Sequence, residues 1–241
     1  MGYIFVLTVG LIAGTISGIV GTGSSIMLMP VLVYQFGPKQ AVPIMAVASV
    51  MANLSRILAW WREVDWRACA AYSITGIPAA ALGARTLLAL PSRAVDVAIG
   101  VFLIAMVPVG HWLARHRLKA NLWHLMLGGA VIGYLTGIVV STGPLSVPLF
   151  LFYGLSKGAF LATEAASSLG LYLSKSVTFE RFGALTAAVA LKGLIAGSSL
   201  MVGAFIAKRF VLRLRPESFR LLMDAIMLAA GVSLLWSAVT S

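Results

Sequence analysis

Charge is what this sequence has least of. Of its 241 residues only 10% are Asp, Glu, Lys or Arg, and just 7 are acidic, whereas an ordinary soluble domain carries about 25% charged residues. A chain so poor in polar side chains cannot coat a globule in water. Cysteine is nearly absent as well: Cys69 stands alone, which excludes an internal disulfide. The 3 histidines form no Cys/His cluster of metal-ligand spacing, and H-E-x-x-H does not occur, so neither a metal nor a cofactor is expected. His111, His116 and His124 gather around one loop beside Trp112 and Trp123, the pattern of residues at a membrane interface.

What the chain does have is 60% hydrophobic residues. Runs such as Ala68–Leu82, Val95–Val109 and Leu221–Ala238, taken with their flanks, match the roughly 17 to 25 residues of a spanning helix. Lipid is therefore the expected solvent, and the fold class is an all-α polytopic transmembrane protein. The first apolar run has no basic n-region or small-residue cleavage site and is expected to belong to the fold rather than to a removable signal. The net charge of +11 sits in short clusters between apolar runs, Arg115 to Lys119 and Lys208 to Arg220. Loops on the inner leaflet carry such clusters, so the basic balance points to lipid and not to nucleic acid.

The sequence repeats itself. Gly14-Thr-Ile-Ser-Gly18-Ile-Val resembles Gly133-Tyr-Leu-Thr-Gly137-Ile-Val, and a Gly/Ser/Thr break follows each. Met29-Pro30-Val31-Leu32 then faces Val147-Pro148-Leu149-Phe150, and Ser49 faces Ser167. Leu90-Pro91 and Arg215-Pro216 each open a final apolar helix. Two repeats are expected, residues 1–119 and 120–241. In each, the first apolar stretch of about thirty residues exceeds what a single crossing needs, and its middle is a poor helix interior. Each half therefore reads as a broken helical hairpin followed by three spanning helices, near 42–61, 67–88 and 93–113, then 159–180, 184–207 and 218–238. If each broken stretch enters and returns, the 115–119 and 208–220 clusters share one side with Arg62, Arg67 and Lys157. Only Lys39, Arg85, Arg93 and Arg181 then remain on the other side, as the positive-inside rule prefers. Three crossings per half invert the second repeat relative to the first, a transporter architecture.

Two signals carry chemistry. The breaks place irregular backbone at membrane depth, which survives only where protein or a water-lined cavity satisfies it. A helix starting after each break aims N–H groups and its positive dipole end into that cavity, which favours an anion. The candidate ligands are Thr22, Gly23, Ser24, Ser25, Ser141, Thr142 and Gly143. By their spacing, Gly10, Gly14, Gly18, Gly133 and Gly137 are instead expected to pack helices closely. The second signal is intramembrane charge at Arg56, Glu164, Lys175 and Lys192, each costing a few kcal/mol. Arg56 shares a helical face with Asn53 and Ser49, and Lys175 shares one with Ser168. Two cations, two helix N-termini and several hydroxyls suit a tetrahedral oxyanion. Glu164 is the candidate for exchanging a coupling proton or pairing with a lysine. Lys192 is a possible partner for Glu164 or for a carbonyl, and Asp224 has Arg220 one turn away.

These breaks, with Val64-Asp65-Trp66 and the Leu90-Pro91 and Arg215-Pro216 ends, resemble the TauE/SafE family of membrane permeases, the sulfite exporter family, over nearly the whole chain. The resemblance implies secondary transport of sulfite, a sulfonate such as sulfoacetate, or a related organic anion in the bacterial plasma (inner) membrane, with export favoured. The family's Gly-Ile-Gly-Gly-Gly loop is here Gly21-Thr22-Gly23-Ser24-Ser25, and the second copy, Val140-Ser141-Thr142-Gly143-Pro144, retains less glycine. The competing readings are an uptake permease for a carboxylate or sulfonate, an anion channel, an accessory subunit, and an intramembrane serine enzyme with Lys175 as base. The chain is not expected to be an enzyme.

Overall fold

A computed structural model of the chain describes residues 2–20, 23–115, 119–139, 142–155 and 157–207, and beyond these 221, 224–225, 228–229, 231–232, 235–236 and 239. The described residues hold helices and no strand. They run α1 (Gly2–Val20), α2 (Ser24–Phe36), α3 (Pro38–Trp60), a 3-10 turn at Trp61–Glu63, α4 (Trp66–Ala89), α5 (Ser92–Arg115), α6 (Leu122–Ile138), α7 (Gly143–Tyr153), α8 (Lys157–Arg181) and α9 (Ala187–Ala207). The described residues from 221 to 239 are helical too. The expected helices near 42–61, 67–88, 93–113, 159–180 and 184–207 correspond to α3, α4, α5, α8 and α9.

Local sequence explains where these helices start. Asp65 accepts from the backbone N–H groups of Arg67 and Ala68, each at 3.0 Å, and so caps α4. Asn121 and His124 form a reciprocal capping box at the start of α6. Between α2 and α3 the chain turns at Gly37, at φ 77°, and Pro38 then sits at the first helical position, where its missing N–H costs nothing.

Packing follows the glycines. On α1, Gly10, Gly14 and Gly18 lie against Ser199, Leu200 and Ala204 of α9; on α6, Gly129, Gly133 and Gly137 lie against Tyr72, Gly76 and Ala80 of α4. A methyl group at Gly14 would stand 2.7 Å from the Leu200 Cα, and one at Gly133 would stand 2.7 Å from the Gly76 Cα. Backbones this close need small residues, as their spacing implied. Between these two pairs lie α3 and α8, which pack on each other; α3 also packs on α9, and α8 on α4. Gly100 of α5 approaches Gly231. Asp224, for which the sequence suggested Arg220, lies 3.4 Å from His111 Nε2, and Arg220 falls outside the described residues.

The outward faces are apolar. Ile4, Ile12, Leu58, Ile74, Val131 and Leu191, from five different helices, are each more than half exposed. In water each such side chain would forgo about 1.5–3 kcal/mol of burial. Gln40–Glu63 and Ala187–Ala207 are long and apolar enough to cross a bilayer, and Ile4–Gly18 and Leu122–Ile138 are shorter apolar stretches. The fold is that of an α-helical membrane protein.

Candidate functional site

Both expected breaks are present. Helix α1 ends at Val20 and α2 starts at Ser24; α6 ends at Ile138 and α7 starts at Gly143. Gly23 takes a left-handed conformation, φ 105°, which lets the chain turn sharply into α2. At 13 and 11 residues, α2 and α7 are about 20 and 17 Å long, too short for the roughly 30 Å of hydrocarbon. Neither start is capped by its preceding side chain. The Thr142 hydroxyl instead meets Thr136 Oγ1 at 2.6 Å.

The two starts border one small cavity of about 30 Å³, lined by Ser17 of α1, Gly23, Ser24 and Ser25 at the first break, and Thr142, Gly143 and Ser146 at the second. Ser49, Ala52, Asn53 and Arg56 of α3 and Glu164, Ser168 and Tyr172 of α8 complete it. It has room for about two waters. Helical spacing explains the two walls: 49, 53 and 56 share one face of α3, and 164, 168 and 172 share one face of α8. Arg56 is buried and donates from Nη1 to Glu164 Oε2 at 2.9 Å and from Nη2 to Asn53 Oδ1. Glu164 Oε1 accepts from Ser168 Oγ at 2.9 Å and from Ser146 Oγ at 3.2 Å. Across the cavity, Ser25 and Ser49 hydroxyls lie 3.4 Å apart, and both hydrogen-bond with Tyr172. Removing one partner from a buried ion pair is costly, while keeping the pair stabilises a fold little, so stability alone is a weak reason for Arg56 and Glu164 to be there.

The family model described as sulfite exporter TauE/SafE matches residues 6–234. The chain belongs to this family. It is 23% identical to a probable membrane transporter protein, YjnA, of Bacillus subtilis (strain 168), over 95% of this chain and 98% of that one. It is 27% identical to the probable membrane transporter protein y4hK of Sinorhizobium fredii (strain NBRC 101917 / NGR234), over 72% and 73%. No solved structure matches the chain. As a TauE/SafE protein it is a membrane transporter.

Within this TauE/SafE chain the cavity brings together Gly23, Ser24, Ser25, Asn53, Arg56, Thr142, Gly143, Ser168 and Glu164 from among the residues singled out by sequence. Thr22 and Ser141 lie outside the described residues. Lys175 departs from its expected place as a second cation at the site. It is fully buried, but its Nζ donates to the Thr136 and Val139 carbonyls at 2.8 and 2.9 Å and lies 5.5 Å from the centre of the Phe179 ring. It holds the cut end of α6, where the carbonyls of a helix terminus lack intrahelical donors. Lys192 does not reach Glu164 either; it donates to Gln40 Oε1 at 2.9 Å and lies over Phe36. Among the described residues the cavity thus contains one cation and one acid rather than two cations. Ser17, Ser146 and Tyr172 were missed as candidates, although Tyr172 follows Ser168 by one turn on the Glu164 face.

Proposed function

We propose that this protein is a secondary transporter of a small sulfur oxyanion or organosulfonate, sulfite or sulfoacetate for example, in the bacterial inner membrane. Its polytopic chain works by alternating access around the cavity between the α2 and α7 starts. The observation that carries the reading is the convergence of two uncapped helix N-termini, Arg56 and a ring of hydroxyls on one buried polar space. Helix N-termini and a guanidinium attract negative charge, and hydroxyls and Asn53 supply donors to an oxygen array. The substrate-binding residues are Gly23, Ser24, Ser25, Asn53, Arg56, Thr142, Gly143 and Ser168, together with Ser17, Ser49, Ser146 and Tyr172. Glu164 is the coupling group for a proton. The cavity's small volume favours an inorganic oxyanion, and export is the direction implied by the family's description.

The moving parts are two inverted repeats, residues 1–119 and 120–241. This division is supported by contacts that keep their form when the halves are exchanged: α1 packs on α9 as α6 packs on α4, and α3 packs on α9 as α8 packs on α4. A serine enzyme with Lys175 as base is disfavoured, because that amine is bonded to α6 carbonyls.

The test is thermal stability of the purified protein with sulfite, sulfate, thiosulfate, sulfoacetate, taurine and carboxylates. A ligand stabilises by RT ln(1 + [L]/Kd), so millimolar binders register. At least one sulfur oxyanion should raise the melting temperature, and Arg56→Ala should abolish the rise. Stabilisation by cations and by none of these anions would refute the site.

A further inference from the structure

The donors that an oxyanion would need in this cavity already serve an acid. Arg56 from α3, Ser146 from α7 and Ser168 from α8 all donate to the Glu164 carboxylate, at 2.9, 3.2 and 2.9 Å. Both members of the ion pair are more than nine-tenths buried. The protein therefore supplies its own oxyanion to a site built for one.

We propose that Glu164 is the resident anion of the cavity, and that it yields Arg56, Ser146 and Ser168 to the solute by taking up one proton for each anion bound. This rests on the anion-transport reading above and adds the sign and stoichiometry of its coupling.

The argument is a charge count. Among the described residues lining the cavity, Arg56 is the cation and Glu164 the carboxylate, and their formal charges cancel. A monovalent anion entering beside an ionised Glu164 would leave two negative groups sharing one guanidinium in a small space lined by buried residues, where like charges repel strongly. With Glu164 protonated the sum returns to zero. The proton comes from hydronium on the side from which the anion enters: one hydronium O–H bond breaks, one carboxyl O–H bond forms at Glu164, and water is released. A neutral carboxyl needs no charged donor and offers one of its own, so the Ser146 and Ser168 hydroxyls can turn to the solute.

Among the described residues lining the cavity, Glu164 is the one carboxylate. Arg56, from α3, keeps its charge throughout. The phenols of Tyr72 on α4 and Tyr172 on α8 lie within electrostatic reach of the carboxylate, and Tyr172 hydrogen-bonds with Ser25 and Ser49. Lys175, further along α8, is turned to the α6 carbonyls. Of the described residues, α1, α2 and α7 contribute only hydroxyls and backbone to the cavity.

Anion and proton then bind with mutual favour, so they cross together. Exchange of one for the other would require them to compete, and the shared guanidinium makes them partners. For a monovalent anion the loaded carrier is electroneutral. Flux is set by the anion and pH gradients and not by membrane voltage, and an anion accumulated inside leaves down its own gradient, carrying a proton outward.

The test is calorimetric titration of the purified wild-type protein with sulfate, thiosulfate and methanesulfonate, which stay ionised across the neutral range, in two buffers of different ionisation heat. For any of them that binds, about one proton should be taken up per anion, with affinity rising by up to about tenfold per unit fall in pH. In Glu164→Gln, proton uptake should vanish and affinity should become independent of pH. Binding without proton uptake, or binding tightened by alkali, in the wild-type protein overturns the proposal while leaving the anion site standing. Failure of every anion to bind to either protein overturns the anion site as well. Should Glu164→Gln not fold, the wild-type proton count decides alone.

Discussion

Two buried cations, Arg56 on α3 and Lys175 on α8, meet the cost of their burial in opposite ways. Arg56 is neutralised by the Glu164 carboxylate, a side chain; Lys175 Nζ donates to the carbonyls of Thr136 and Val139, which belong to the backbone and cannot leave. The first arrangement sits in the cavity and on our proposal is exchangeable, and the second fixes the end of α6 below the second break. Charge inside a membrane helix thus marks either a ligand site or a structural clamp, and the partner tells which.

The widest separation between these roles is expected from Arg56→Ala set against Lys175→Met. Both should destabilise the fold, Arg56→Ala by about 3–5 kcal/mol because Glu164 is left buried and unpaired, and Lys175→Met by about 2–3 kcal/mol because two carbonyls lose their donor. Binding should separate them. For whichever sulfur oxyanion stabilises the wild-type protein, Arg56→Ala should weaken affinity by about 30-fold or more, whereas the folded fraction of Lys175→Met should bind within about threefold of wild type. Chemical denaturation and equilibrium titration of the two variants measure both quantities. Equal losses of affinity would dissolve the distinction.

The sequence alone led to Arg56 and to Lys175 by the same rule, and of the two it is Arg56 that lines the cavity. Lys175 lies eleven residues after Glu164, nearly the same face of α8, but about 16 Å further along its axis. Periodicity reports face and says nothing of depth, so Lys175 was expected at the cavity. Position along the chain was legible where composition marked it: Gly21 to Ser25 and Ser141 to Pro144 interrupt apolar runs, and α1 and α6 end just before them while α2 and α7 start within them. The Arg56–Glu164 pair was not legible, because it joins residues 108 positions apart on helices whose relative rotation is set by tertiary packing. Tyr172 was passed over for a similar reason: one aromatic in an apolar helix resembles core until its hydroxyl is seen beside Ser25 and Ser49.

The comparison between halves can be sharpened at the glycines. Gly14→Ala and Gly133→Ala each introduce a methyl group 2.7 Å from a Cα of the facing helix, an overpacking expected to cost about 1–3 kcal/mol. If the halves are repeats, the two losses of stability should agree within about 1 kcal/mol, and neither should change anion affinity by more than a few-fold, since both glycines pack helices outside the cavity. Denaturation midpoints of the pair are the measurement. A large loss at one position and none at the other would mean that the two interfaces bear different loads and that the symmetry of contacts does not extend to energetics.

The smallest effect separates two polar groups on a single helix. Tyr172 precedes Lys175 by three residues, yet Tyr172 lines the cavity and Lys175 does not. Tyr172→Phe keeps the ring and its packing and removes only the hydroxyl that meets Ser25 and Ser49. One neutral hydrogen bond contributes about 0.5–1.5 kcal/mol, so anion affinity should fall by about two- to tenfold if the hydroxyl faces the solute directly or orients the serines toward it. Stability should change by no more than that same amount. Titration of the variant with the anion that stabilises wild type gives the answer, and unchanged or tighter binding would place Tyr172 with Lys175, as part of the scaffold rather than of the site.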